Sequence, residues 1–83
     1  MRIVWDEPKR LANIADHGMD FADLDEGFFE DSIVVPVKFD RLAAVGRHLN
    51  GIILVVFAKL GTEAFSVISM RPASRKERKL IDG

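Results

Sequence analysis

The chain contains no cysteine and no tyrosine. The first absence excludes disulfides, thiolate metal sites and a thiol nucleophile. The second leaves no phenol to carry a proton. There is one tryptophan and there are only three prolines. No apolar run approaches the roughly 20 residues needed to cross a bilayer, and "MRIVWDEPK" (1–9) has no apolar signal segment. These absences point to a cytoplasmic protein with no membrane partner. Excess charge of one sign is also missing: 12 Lys and Arg stand against 13 Asp and Glu, a net charge of −1. Indiscriminate binding to nucleic acid is thereby excluded, and an anionic ligand would need a local patch. No glycine-rich phosphate loop occurs, and neither histidine sits in a spacing such as HxxxH. No cofactor or metal is expected.

What remains is an ordinary globular composition over 83 residues, enough for a single domain spanning 1–83, near the lower limit for a self-supporting core. A chain this short without staples is often completed by a partner. "RIVW" (2–5) reads as a strand. Asp6 can cap a helix, Pro8 is tolerated in its first turn, and Gly18 after His17 ends it. Leu11, Ile14 and Ala15 share a face of that helix. Asp20 can cap a second helix, with Phe21, Leu24 and Phe28 as its core stripe. "IVVPV" (33–37) reads as an edge strand because of its proline. "RLAAVGRHL" (41–49) and "IILVVFA" (52–58) flank Asn50-Gly51, a strong hairpin signal. The second of them lacks alternation, as a strand buried on both faces should. "AFSVISM" (64–70) is the last strand. Ser74 and Glu77 form a capping box for a short final helix. The expected fold is α+β: a small antiparallel sheet with two N-terminal helices and a short C-terminal helix.

Charge is unevenly distributed along this frame. "ISMRPASRKERKL" (68–80) holds five basic residues and one acid, whereas the rest holds seven basic and twelve acidic residues. Arg71 stands at a strand end beside a helix start, a place that suits an anion; the plain alternative is a solvated arginine. Arg75, Lys76, Arg78 and Lys79 would contact phosphates or merely aid solubility. Arg41 and Arg47 lie six apart, hence on one strand face. His17 closes the first helix, where a structural role competes with general acid–base work. His48 precedes the hairpin turn and is expected to be exposed. Residues 16–31 hold seven acids and no lysine or arginine. They are expected to form a solvated face away from the basic end rather than a magnesium site. Trp5 is expected under the first helix, with base stacking as the alternative.

Taken together, these pieces resemble the BrnT family of bacterial toxins. The first half carries Trp5, Asp6, Lys9, Asn13, His17, Gly18, Phe21, Phe29 and Asp31 in the family's order. The second half carries Arg41, "VGR" ending in Arg47, "ILVVFA" and "ISMRPASRKER". There Ile68, Ser69, Arg71, Ala73, Ser74, Glu77 and Arg78 match the family pattern. The stretch 36–40 is shorter than in many relatives. The resemblance implies a RelE-like fold and a ribonuclease that halts translation. It also implies a BrnA-like antitoxin with a ribbon-helix-helix part, through which alone the pair would reach operator DNA. RNA cleavage by the neighbouring 2′-hydroxyl needs fixed cations for the phosphate and groups to move two protons. On this reading Arg71 and Arg47 hold the phosphate, and His17, Lys9 and Glu77 are the proton-handling candidates. Arg75, Lys76, Arg78, Lys79 and Arg41 bind RNA. The competing reading is a non-catalytic module whose basic end docks an acidic protein segment.

Overall fold

A computed structural model describes residues 1–82. The chain runs through β1 (Arg2–Trp5), α1 (Glu7–His17), a single 3₁₀ turn (Phe21–Asp23), α2 (Glu26–Asp31), β2 (Ile33–Val37), β3 (Arg41–His48), β4 (Gly51–Leu60), β5 (Ala64–Pro72) and α3 (Arg75–Asp82). One sheet forms, in the order β1-β5-β4-β3-β2. Strands β2 to β5 make the expected antiparallel meander, and Pro36 lies on its edge strand. The whole sheet is nevertheless mixed, because β1 runs parallel to β5, with Ile3 opposite Phe65 and Trp5 opposite Val67. Parallel neighbours need a long connection. Here everything from α1 to β4 supplies it, so no local signal in "RIVW" could reveal the direction.

Strand β4 is central, which explains its unbroken apolar run. Val55 and Phe57 face the layer of α1, the 3₁₀ turn and α2, together with Phe21, Phe28, Phe29 and Met70. Leu54 faces the other way, with Ala43 and Val45, under Ile81 of α3. The two sides are called here the helical face and the α3 face.

The second predicted helix is broken. Asp20 accepts the Ala22 N–H at 2.9 Å, and Asp25 accepts the Phe28 N–H at 2.9 Å. Each aspartate satisfies nearby amides itself, an alternative to continuous helix. Phe21, Leu24 and Phe28 still reach the core. α2 packs closely on β3 because Gly46 has no side chain: a Cβ there would lie 3.0 Å from Phe28 Cε1 and 3.1 Å from Ser32 Cβ.

The apolar residues of α1 do not form its buried face. Leu11 is 56% exposed and Asn13 only 5%. Asn13 Nδ2 donates to the Met19 carbonyl at 3.0 Å, and its Oδ1 accepts the Met70 N–H at 3.0 Å. β1 accompanies β5 only as far as Val67, so the Asn13 amide takes the place of a missing strand partner. The hairpin turn also differs. His48 pairs with Gly51, so the turn residues are Leu49 and Asn50, one earlier than Asn50-Gly51. Leu49 adopts φ 54°, a conformation that costs an L-residue roughly 1–2 kcal/mol.

Candidate functional site

The final helix begins where the sequence places it. The Ser74 N–H donates to Glu77 Oε1 at 2.8 Å, and the Glu77 N–H donates to Ser74 Oγ at 3.2 Å. This reciprocal pair satisfies two otherwise free helix-start donors. It also aims the Glu77 carboxylate at Arg71. Arg71 Nη1 and Nη2 meet the two Glu77 oxygens at 2.8 and 2.9 Å, and Nη1 also donates to the Pro72 carbonyl at 3.1 Å. A guanidinium has five N–H groups. Three are engaged, and the adjacent pair formed by Nε and the second Nη2 hydrogen is left. The side chain is 39% exposed, and among the described residues no hydrogen bond occupies that second fork.

The Arg71 hydrogen bonds hold the Glu77 carboxyl down to about 2, against a smaller cost of burial, with help from the Ser74 N–H. The same contact pushes Arg71 up. Glu77 is therefore a fixed carboxylate at neutral pH. It is placed to orient Arg71.

Arg47 shares the α3 face with Arg71. Arg71 stands opposite Leu54, and Arg47 stands opposite Ile52. One strand lies between them, a lateral spacing of about 10 Å. Arg47 Nη2 lies 3.3 Å from Asp82 Oδ1. The two arginines thus tie the first and last turns of α3 to the sheet. Arg47 and Arg78 line a common groove with Asp82, and Arg75, Arg78 and Lys79 line the neighbouring one. Lys76 is exposed on the same helix. Arg41 is elsewhere, at the far end of β3 beside Lys59 and Asp40. Lys9 lies in the first turn of α1, its ammonium 4.0 Å from Asp6, the residue that precedes the helix.

The other side of the hairpin end carries both histidines. His17 and His48 line one cleft of about 470 Å³, together with Asp23, Met70 and Pro72. His48 is half-buried rather than exposed, its ring edge-on to Phe28 with centroids 6.3 Å apart. An adjoining cleft is lined by His48, Arg47, Asp23, Asp25 and Asp31. The acidic segment is therefore only partly remote from the basic residues. α2 covers the face opposite Arg71, but its close seat on Gly46 brings three aspartates to the β3 end near Arg47. Asp20 is committed elsewhere: Arg10 grips it with Nε at 2.7 Å and Nη2 at 3.0 Å. That grip, aided by the Ala22 N–H, lowers its carboxyl and raises Arg10. Trp5 packs edge-on to Phe21, 6.3 Å between centroids, and its Nε1 donates to Glu7 at 3.2 Å.

Two residues of this region escape sequence reasoning. Asn13 looks like an ordinary helix-surface amide, and only its position in the family pattern singles it out. His48 looks like a turn-flanking residue, and no local signal places it across a cleft from His17.

A family profile described as a ribonuclease toxin, BrnT, of type II toxin–antitoxin systems matches residues 5–77. The 1.1 Å crystal structure of the Brucella abortus ribonuclease toxin, BrnT, superimposes with a TM-score of 0.86. The two sequences are 56% identical, over 90% of this chain and 99% of that one. Comparison with curated proteins gives no match.

Proposed function

The chain belongs to the BrnT family of ribonuclease toxins of type II toxin–antitoxin systems, and on that basis we propose how it cleaves RNA. The attacking group is the 2′-hydroxyl next to the scissile phosphate, and no metal is used. Arg71 and Arg47 neutralise the charge that grows on the phosphate. Arg75, Lys76, Arg78 and Lys79 hold the flanking RNA, and Arg41 binds it more remotely. His17 is a proton carrier. A BrnA-like antitoxin with a ribbon-helix-helix part covers the basic α3 surface, blocks RNA and links the pair to operator DNA. The site of action is the translating cytoplasm.

One observation carries this reading: Arg71 is gripped end-on by Glu77 and keeps a second fork free. A guanidinium oriented beforehand needs no reorganisation when charge develops in the transition state. Arg47 is available for a different reason. Its pair with Asp82 is exposed on both sides, worth about 0–1 kcal/mol, so a phosphate can displace Asp82.

The test is RNA cleavage by purified variants. Arg71→Ala should lose roughly 100- to 1000-fold in rate and remain folded by circular dichroism. Glu77→Gln loosens the same α3 anchor and half of the grip on Arg71 but keeps the guanidinium, so it should lose activity by a smaller factor than Arg71→Ala. A folded Arg71→Ala protein as active as the parent would reduce Arg71 to an anchor for α3.

A further inference from the structure

We propose that His48 is the second proton-transferring residue of RNA cleavage, acting with His17 across the cleft at the β3–β4 hairpin end. The inference rests on the reading above, in which the 2′-hydroxyl is the nucleophile. That chemistry moves two protons. One imidazole nitrogen takes the 2′-hydroxyl proton as the 2′-oxygen bonds to phosphorus. The P–O5′ bond breaks, and the other imidazolium gives its proton to the departing 5′-oxygen. The products are a 2′,3′-cyclic phosphate and a 5′-hydroxyl, with no oxidant, reductant or co-reactant.

The geometry supplies the two groups. The chain has two histidines, the side-chain type that exchanges protons most readily near neutral pH. Glu77 is committed to Arg71, and Lys9 lies by Asp6. The histidines are far apart in sequence, yet they line one cleft. Its volume of about 470 Å³ falls within the roughly 300–1,000 Å³ typical of small-ligand sites. Each is held from a rigid element. His17 ends α1, where Gly18 takes φ 66° and its N–H donates to the Ile14 carbonyl at 2.8 Å. Asn13, one turn earlier, pins the same helix to β5. His48 ends β3 opposite Gly51 and packs on Phe28.

His48 also stands between the two halves of the site. It shares one cleft with His17 and the adjoining cleft with Arg47. A phosphate held by Arg47 in the adjoining cleft would therefore share that cleft with His48. The other charged groups facing the pair are Asp20 and Asp23 of the 3₁₀ segment, and Asp25 and Asp31 at the two ends of α2. Strands β4 and β5 contribute Ile52, Ile53, Met70 and Pro72 to the His17 cleft, none of which titrates.

His48→Gln and His17→Gln should each lower kcat by roughly 100- to 10,000-fold, with KM little changed. The parent's pH–rate profile should be bell-shaped and should lose one limb in each variant. A binding measurement keeps the test independent of turnover. With two histidines, the NMR spectrum has two imidazole Cε1–H signals, and both should shift on titration with a non-cleavable 2′-deoxy oligonucleotide. If the parent cleaves RNA and a folded His48→Gln protein matches its kcat and pH profile, His48 is excluded and the reading above stands. Movement of the His17 signal alone also overturns the pairing. If the parent cleaves no RNA, the underlying reading fails and the His48 assignment fails with it.

Discussion

Arg71 and Glu77 are both charged, both at the start of α3, and they differ in what they can do. Two hydrogen bonds from Arg71 hold the Glu77 carboxyl at about 2, below its ordinary 4.5. A carboxyl whose folded value is depressed stabilises the fold fully above its unfolded value. That contribution fades as pH falls from about 4.5 toward about 2. The pair is worth about 1–2 kcal/mol, between an exposed ion pair at about 0–1 and a charge-assisted hydrogen bond at about 1.5–3. Glu77→Gln should therefore be less stable than the parent in urea unfolding at pH 7. The difference should shrink steadily between about pH 4.5 and pH 2. A gap that stays constant down to pH 2 would show that the carboxylate charge plays no part.

At the scale of elements, the site depends on how closely two pieces approach β3. α2 can bring its aspartates to the hairpin end, and Phe28 can support His48, only because Gly46 leaves room. A Cβ at Gly46 meets the Phe28 ring at 3.0 Å and the Ser32 side chain and backbone at 3.1 and 3.4 Å. The backbone cannot retreat as a flexible side chain could. Gly46→Ala should cost about 1–3 kcal/mol by overpacking, measured by chemical denaturation. It should also move the His48 imidazole NMR signal, because the Phe28 ring beside it shifts. On the opposite face, α3 is held by Ile81 between two arginine–carboxylate pairs. Its remaining cations, Arg75, Lys76, Arg78 and Lys79, are left exposed to solvent.

For the molecule as a whole, near neutrality conceals two differently charged sides. The basic side is the α3 face with Arg71 and Arg47; the acidic side is the segment 16–31 on the helical face. They meet at the hairpin end, where Arg47 and three aspartates share a cleft. On the proposed reading RNA is drawn to the α3 face and reaches the histidines by crossing the hairpin end at Arg47. Binding to a single strand weakens with salt by a logarithmic slope of about −0.7 per phosphate contact. Replacing Arg75 and Arg78 together with alanine should make that slope shallower by about 1.4. The check is fluorescence anisotropy with a non-cleavable 2′-deoxy oligonucleotide at several salt concentrations. An unchanged slope would remove α3 from the binding surface.

Local sequence was enough for the Gly18 stop of α1, the capping box at Ser74 and Glu77, the central place of β4 and the concentration of cations in α3; Asp6 precedes α1 as expected but its side chain makes no cap bond. Each follows from residues within a few positions of one another, where local geometry and periodicity decide. It did not determine that β1 runs parallel to β5, because a four-residue apolar strand pairs equally well in either direction until the chain around it is placed. It suggested one helix over Phe21–Phe28, where two aspartates instead captured nearby amides. It placed Leu11, Ile14 and Ala15 on one face of α1, whereas tertiary packing buried Asn13 and left Leu11 exposed, since β5 had an N–H left without a strand partner. The pairing of Arg71 with Glu77 was within reach of sequence, six residues apart across a turn. The approach of His48 to His17 was not. Thirty-one residues separate them in the chain, and only the closure of α1 and β3 over the same end of the sheet brings them to one cleft.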